Sequence, residues 1–236
     1  YAHGDALTQN SSTITLDEEV AADALAAVEL VKSFDGIDET KVFLLGHSMG
    51  GGLLSYINSL GADCAGYIIM AGTPRNLWEL SAEQNLLLAD EKEQAGDADD
   101  AQEILDLVDG ERQKAKGLST MSSDDTLFGM PASYLQEFER IDTLSMHQAD
   151  GLPVLILQGE KDRQVYMEDV ALWQEGLASH PNTTYKSYPY LNHLFGDYEG
   201  EAVPFSQMVS VEYAQRTPVS GNVIRDITDW IVKSGE

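Results

Sequence analysis

The sequence predicts an α/β fold in which a mostly parallel sheet is flanked by helices and carries a helical insertion. Short apolar runs alternate with helical patterns along most of the chain, which is typical of parallel strands joined by helices. Residues 76–150 interrupt this alternation with helical patterns alone. The four predicted strands are Val42–Leu45, Gly66–Ala71, Pro153–Gln158 and Thr183–Tyr188.

Length and composition restrict the classes of protein that fit. A chain of 236 residues can form one α/β domain with an insertion or two small domains. Its 40 acidic and 14 basic residues give a net charge of −26, which excludes a basic surface for nucleic acid or anionic membranes. No apolar run approaches 18 residues, so we predict no membrane span.

Cysteine content and the start of the chain leave the compartment open. Cys64 is the only cysteine, so no intrachain disulfide can form, and we expect it to be a small packing residue. The chain begins with Tyr1, and both a cytoplasmic and a secreted location fit the sequence. Its oligomeric state is equally open.

The first part of the chain leads from a loop to the first strand. Residues 1–15 are polar, and Leu16–Phe34 has the apolar spacing of a long helix. Thr15 or Asp17 can cap its start, and Lys32 favours its last turn. The strand Val42–Leu45 follows.

Directly after this strand the chain reads Gly46-His47-Ser48-Met49-Gly50, a G-x-S-x-G pattern between a strand and a helix. A turn this sharp predicts a strained backbone at Ser48 and a need for glycine two positions before and two positions after it. Ser48 is the predicted nucleophile, and the N–H of Met49 a predicted oxyanion donor. The alternative is a glycine-rich turn that only packs closely, since no lysine follows to indicate a phosphate-binding loop.

A helix over Gly51–Leu60 then connects to the second strand, completing a βαβ unit. In residues 76–150, 18 acidic residues face 5 basic ones. We predict three helices here and interpret the insertion as a lid over the strands' carboxyl ends. The alternative is a solvated decoration without a role in substrate choice. The three helices are Leu77–Gln94, Ala98–Lys116 and Pro131–Met146.

Asp97-Ala98-Asp99 begins like a calcium loop but lacks the glycine and glutamate that such a loop needs, so no metal site is predicted. After the insertion, a turn over Gly159–Val165 follows the third strand. A helix over Met167–Ser179 leads to the fourth strand. The loop Pro189–Phe195 comes next, and a helix over Asn222–Lys233 closes the chain.

A serine nucleophile needs a base to accept its proton and an acid to orient that base. Histidine suits the base because its pKa lies near the working pH. We predict His193, which follows a strand near the end of the chain, where the order Ser-acid-His places it. His47 is predicted to contact the substrate, and His147 and His180 to lie at the surface or cap helices. The remaining histidine, His3, lies in the first loop.

The predicted acid is Asp162, because it follows the third strand by a tight turn that contains glycine. Three other carboxylates are rivals. Glu160 comes very soon after the strand, and Asp169 falls in the first turn of a helix, where an acid compensates the dipole. Asp197 is a weaker alternative.

The motifs GHSMGG, GEKDRQV and LNHLF, in this order, resemble the α/β-hydrolase superfamily. More narrowly they resemble bacterial serine esterases and acyl hydrolases related to dienelactone hydrolases and serine aminopeptidases. The resemblance covers residues 15–75 and 152–234. It implies Ser48 as nucleophile, Asp162 as acid and His193 as base, and hydrolysis of small carboxylic esters through an acyl-enzyme without metal or organic cofactor. Acyl transfer, peptidase action and a non-catalytic fragment of the fold are the alternatives.

One departure from the family pattern concerns the beginning of the sheet. Hydrolases of this family have strands before the nucleophile strand, and a loop there, often with His-Gly, donates the second oxyanion N–H. His3-Gly4 is similar to this signal, but a long helix and no sheet pattern follow it, so we expect the chain to be a fragment that lacks the first strands and has an exposed edge at the strand Val42–Leu45. The predicted parts are 1–75 and 151–236 for the hydrolase core and 76–150 for the lid.

Overall fold

The computed structural model describes residues 14–198, 203–215 and 217–235. The chain forms two compact units. One combines residues up to 24 with 76–141, and the other combines 25–75 with the residues from 142 onward. We call them the insertion unit and the sheet unit. The predicted first loop, residues 1–15, lies outside the described residues except for its last two positions. His3 lies outside them.

The sheet unit is built on four parallel strands, and alternating strands and helices in the sequence predict this parallel arrangement. The order of the strands across the sheet is β1-β2-β5-β6. Every residue of the two central strands, β2 and β5, is buried, which explains why these strands are continuous apolar runs. The strands are β1 (Leu44–His47), β2 (Tyr67–Met70), β5 (Val154–Gly159) and β6 (Thr183–Tyr188).

Strand β1 pairs with β2 through the register Leu44 to Tyr67 and His47 to Met70. Within the described part of the chain it has no strand on its other side. Leu45 is 51% exposed there, although leucine in a parallel sheet is usually covered. The expected exposed edge is therefore present among these residues.

Helices of the sheet unit follow the predicted positions with one main difference. The helix expected over Gly51–Leu60 begins at Met49 and is interrupted at Leu53, after three consecutive glycines of low helix propensity. The helices are α1 (Ala22–Lys32), α2 (Met49–Gly52), α3 (Leu54–Ile57), α7 (Thr143–Asp150), α8 (Met167–Gly176) and α9 (Gly221–Ser234). Helix α1 continues a π-helical turn, Asp17–Ala21, and its first residues belong to the insertion unit.

One face of the sheet packs against α9. Val223 and Trp230 of this helix join a buried cluster with Ile68 of β2 and Leu155 of β5. The ring of Phe43, just before β1, meets the Trp230 ring edge-on at 5.6 Å. This core fixes the strands whose carboxyl ends carry the predicted site residues.

The insertion unit has a separate core, centred on Leu118, Leu127 and Leu135. The helix predicted over Pro131–Met146 is two helices, because Asp142 accepts a hydrogen bond from the Ser145 N–H and starts a new helix there. The elements are α4 (Leu77–Ala95), α5 (Ala98–Ala115), the short pair β3 (Thr126–Leu127) and β4 (Met130–Pro131), and α6 (Ala132–Arg140). Among the described helices, none is long and apolar enough to cross a membrane.

Candidate active site

The turn after β1 holds Ser48 in a rare backbone conformation. Its φ is 56° and its ψ is −124°, whereas non-glycine residues seldom adopt a positive φ. The Ser48 N–H donates to the carbonyl of Met70 at 2.8 Å, which fastens the turn to the end of β2. The prediction of a strained serine between strand and helix is confirmed, and such strain costs about 1–3 kcal/mol.

The glycines around Ser48 have different roles from those predicted. A Cβ on Gly46 would lie 2.3 Å from the carbonyl oxygen of Gly50, so glycine is required there. A Cβ on Gly50 would meet nothing within 4 Å, and the prediction that this position needs glycine is wrong. The other tight positions are Gly51, whose Cβ would lie 3.0 Å from the Ile69 side chain, and Gly52, whose Cβ would lie 2.7 Å from the Thr73 carbonyl oxygen.

Asp162 lies just beyond β5, and its side chain is fully buried. The Oδ1 atom accepts the backbone N–H groups of Gln164 at 2.8 Å and Val165 at 3.0 Å. The Oδ2 atom accepts the side chains of Gln158 at 3.0 Å and His193 at 2.7 Å. Four donors thus fix the orientation of this carboxylate and satisfy it as an anion.

Sequence reasoning did not identify Gln158 as part of this site. The residue is buried at the end of β5, and its Nε2 group also donates to the Val165 carbonyl at 2.9 Å. An amide among the apolar residues of a central strand is itself a signal, because a buried polar side chain needs partners nearby. Those partners are the acid and its loop.

His193 lies in the loop after β6 and is 4% exposed. Its Nδ1–H donates to Asp162, so the neutral ring carries its lone pair on Nε2. The loop is fixed by the side chain of Asn192, whose Oδ1 accepts the N–H groups of Leu194 and Gly196 at 3.0 and 3.3 Å. Glycine at position 159 lets the loop approach, since a Cβ there would lie 2.3 Å from the Leu191 carbonyl oxygen.

His47, the residue before Ser48, contacts the same loop. Its Nε2–H donates to the backbone carbonyl of His193 at 2.8 Å, and the two imidazole rings lie 4.6 Å apart between centroids. Burial of the ring is the main cause that lowers the pKa of His47, and the hydrogen bond to the His193 carbonyl partly opposes this shift. The structure therefore connects the Ser48 turn to the Asp162–His193 pair through the neighbour of the serine.

The rival carboxylates are engaged elsewhere. Asp169 is fully buried and bound by the Arg75 guanidinium at 2.8 and 2.9 Å and by the Thr73 hydroxyl at 2.5 Å. Glu160 accepts the Ser187 hydroxyl at 2.6 Å in an exposed contact. Asp197 belongs to the short backbone bridge with Leu191.

His147 and His180 are both buried, so the prediction of a surface position for them is wrong. His147 is fully buried in the last turn of α7, where its ring meets the rings of Tyr67 and Trp173 edge-on. Within the described part of the chain, neither of its ring nitrogens has a hydrogen-bond partner, and burial lowers its pKa to about 4. His180 is 8% exposed, and its Nδ1 pairs with the Thr183 hydroxyl at 2.9 Å. Cys64 is buried, as expected of a packing residue.

The arrangement offers a strained serine, a histidine that can accept a proton at Nε2, and a buried carboxylate that holds the other nitrogen. This combination is suited to nucleophilic acyl transfer. Among the described residues, no cluster of three or more histidine, cysteine or acidic side chains could hold a metal ion.

Comparison with known proteins places this geometry in context. The sequence profile of the alpha/beta hydrolase family matches residues 1–203. A curated relative, the esterase EstD of Thermotoga maritima, is 29% identical over 222 residues, which are 94% of this chain and 50% of that protein. The chain therefore spans about half the length of this relative.

Solved structures with the same fold have lower sequence identity. The monoacylglycerol lipase of Paleococcus ferrophilus is 14% identical with a TM-score of 0.50, covering 94% of this chain and 76% of the lipase. The alpha/beta hydrolase GrgF of a Penicillium species is also 14% identical with a TM-score of 0.50, covering 94% of this chain and 73% of GrgF. At this identity the likeness concerns the fold alone.

Proposed function

This chain belongs to the alpha/beta hydrolase family, and from that we propose that it is a serine esterase that cleaves small carboxylic esters through an acyl-enzyme. The observation that carries the proposal is the 2.7 Å hydrogen bond between His193 and Asp162, joined through His47 to the strained turn at Ser48. The 29% identity to the esterase EstD supports the choice of esters as the substrate class.

In the proposed mechanism, the Ser48 hydroxyl attacks the ester carbonyl while Nε2 of His193 accepts its proton. The imidazolium then protonates the leaving alcohol. Water, deprotonated by the same nitrogen, cleaves the acyl-enzyme and releases the acid. Asp162 remains ionised throughout and stabilises the imidazolium, because the His193 Nδ1–H points at its carboxylate.

We propose the backbone N–H of Met49 as one donor to the oxyanion. Met49 is the first residue of α2 and directly follows Ser48, so its N–H lies in the first turn of that helix, beside the proposed nucleophile. In acyl transfer such a donor stabilises the charge that develops on the carbonyl oxygen, and losing one donor costs about 10²–10³ in rate.

We propose that the insertion acts as a lid that restricts which esters reach the serine. Supporting this role, residues 76–141 form a compact unit with a core of their own. Substitutions that loosen this core, such as Leu135→Ala, are then expected to change the preference between short and long acyl chains more than the rate on the best substrate.

The central test compares the wild type with Ser48→Ala on p-nitrophenyl esters of short and medium chain length. We expect Ser48→Ala to lose about 10⁴-fold or more of the activity and to resist labelling by a fluorophosphonate that labels the wild type. Free acid as the main product distinguishes hydrolysis from acyl transfer. A folded wild type without activity or labelling would overturn the proposal.

A second test assigns the acid. Asp162→Asn places a neutral amide against His193 and favours the wrong tautomer, for which we expect a loss of about 10⁴-fold in kcat. Asp169→Asn is the matched control, because this buried carboxylate pairs with Arg75 and not with His193. It is expected to lower the free energy of unfolding while kcat per folded molecule stays near that of the wild type. The opposite ranking in kcat would transfer the role of the acid to Asp169.

A further inference from the structure

We propose that His47 is a positioning residue that fastens the loop of the base to the turn of the nucleophile. This inference rests on the proposed function, because it assigns a role within the same site. His47 and His193 are 146 positions apart in sequence, yet the His47 Nε2–H donates to the His193 carbonyl at 2.8 Å. Since Ser48 is the next residue after His47, this hydrogen bond links the turn that carries the nucleophile to the loop that carries the base.

The His193 loop needs such a connection because it is irregular. It closes through isolated bridges, Leu191 with Asp197 and Gly196 with Val219, and Phe195 has a φ of 56°. The bond to Asp162 orients the imidazole ring, and Asn192 stabilises the loop from within, but neither connects the loop to the turn of Ser48. His47 fixes that backbone at the carbonyl of the same residue.

Ring packing reinforces the hydrogen bond. The imidazole of His47 lies 4.6 Å from that of His193 and is tilted by 49°, and it meets the Phe195 ring edge-on at 6.4 Å. Donation to a carbonyl requires a hydrogen on Nε2, which the neutral ring supplies when its lone pair is on Nδ1. Burial favours this neutral form because it lowers the pKa of His47.

A direct substrate contact is the other role for His47, and the two roles predict different kinetics. The Nε2 atom is taken by the His193 carbonyl, so a polar contact with substrate would have to use Nδ1. A lost substrate contact raises KM and depends on the ester. A displaced base lowers kcat by a similar factor for every ester.

The experiment compares His47→Leu with His47→Gln. Leucine removes the donor, and we expect kcat to fall by about 10- to 100-fold on both short and medium esters, since a misplacement near 1 Å costs that much. The rate of fluorophosphonate labelling should fall with it. Glutamine can place an amide N–H near the position of Nε2, so it should restore kcat to within about threefold of the wild type.

Combining His47→Leu with His193→Ala provides the sharper test. If His47 acts through His193, the double variant should be no slower than His193→Ala alone. Additive losses, or a loss in His47→Leu confined to KM, would overturn the inference. Equal kcat in His47→Leu and the wild type would do the same.

Two controls separate this inference from folding and from the proposed function. His180→Gln replaces another buried histidine of the sheet unit and should leave kcat unchanged, and urea unfolding of each variant verifies that the measured protein is folded. If the folded wild type neither hydrolyses esters nor reacts with the fluorophosphonate, the proposed function itself fails. An active wild type with an unaffected His47→Leu rejects only the role of His47.

Discussion

At the scale of single residues, the role that a buried ionisable group can have depends on the groups that it contacts. Asp162 and Asp169 are both fully buried carboxylates in the same unit. One receives a histidine and an amide, and the other receives an arginine and a hydroxyl. The first arrangement can stabilise the positive charge that the proposed mechanism places on His193, whereas the second is already neutralised by Arg75 and is suited to holding the structure together.

His147 shows the opposite situation, a buried ionisable ring without hydrogen-bond partners. Its pKa in the folded protein is about 4, compared with an ordinary value of 6.5. The unfolded chain therefore binds a proton at this residue at a higher pH than the folded protein does. Stability from this group is complete above pH 6.5 and is lost as the pH falls toward 4, by up to about 3 kcal/mol.

Urea unfolding at pH 7.5 and pH 5 tests this expectation. The wild type should lose more free energy of unfolding between the two values than His147→Leu, which has no proton to gain. The ring packs against Tyr67 and Trp173; burial is the main cause of the lowered pKa of His147, and the neighbouring His180 adds to it. Equal losses in both proteins would show that His147 does not titrate on unfolding.

Asp162 and His193 could be predicted as candidate acid and base because their positions after strands, in the order Ser-acid-His, are visible as a pattern, and the structure places them in hydrogen-bond contact. It could not locate His147, since the end of a helix looks the same in sequence whether it faces solvent or the Tyr67 and Trp173 rings. Gln158 was missed for a related reason. An amide can end a strand for many purposes, and only the fold shows that Asp162 lies within reach of it.

At the scale of elements, the turn between β1 and α2 is specified by close backbone approaches. Position 46 has no room for a side chain because the helix begins directly against it. Position 51 is close to Ile69 and Gly72, so the start of the helix packs directly on the end of β2. The rare backbone angles of Ser48 follow from fitting this helix so close to its own strand.

Gly46→Ala and Gly50→Ala form a matched pair that tests this account. The added Cβ at position 46 would overlap backbone at 2.3 Å, and we expect an insoluble protein or a loss of more than about 3 kcal/mol in unfolding free energy. At position 50 the Cβ meets open space inside a helix, where alanine is favoured over glycine by up to about 1 kcal/mol. Urea unfolding of the purified variants provides the measurement.

A stable Gly46→Ala variant would contradict the observed turn, and a destabilised Gly50→Ala variant would support the predicted requirement at that position. The sequence pattern alone could not distinguish the glycines. The G-x-S-x-G spacing specifies a turn, but which glycine touches backbone depends on how the helix continues. Here it is interrupted at Leu53, which no local propensity indicated beyond the run of glycines.

At the scale of the whole molecule, charge is the dominant feature. With 40 acidic and 14 basic residues, the net charge is −26. Repulsion among like charges opposes the compact state more than the unfolded chain, in which the charges are farther apart. Salt screens this repulsion, since the Debye length falls from about 30 Å at 0.01 M to about 10 Å at 0.1 M.

We therefore expect the midpoint of thermal unfolding to rise by a few degrees between 0.01 and 0.3 M NaCl, which corresponds to about 1–2 kcal/mol. Calorimetry in NaCl and in KCl at equal ionic strength is the measurement. Screening predicts the same rise in both salts. A flat midpoint, or one that follows the identity of the ion, would show that the surface charge does not limit stability.

The overall architecture was predictable because alternating apolar runs and helical patterns give a parallel sheet, and its four strands occur where predicted within two residues. The order of the strands, with β1 at an edge of the described sheet, required the structure. The boundaries of the two units could not be predicted from the sequence either. Residues 143–150 continue the helical pattern of the insertion, but they pack as α7 in the sheet unit.

The separate core of the insertion unit has a consequence for adaptation. Ser48, Asp162, His193 and every hydrogen-bond partner described for them belong to the sheet unit. Under the proposed function, substitutions in residues 76–141 would therefore affect the packing of that unit and the choice of ester, while the hydrogen bonds around Asp162 and His193 stay intact. Under the same proposal, the ester preference could change during evolution through substitutions in this one segment, while the residues that carry the reaction stay the same.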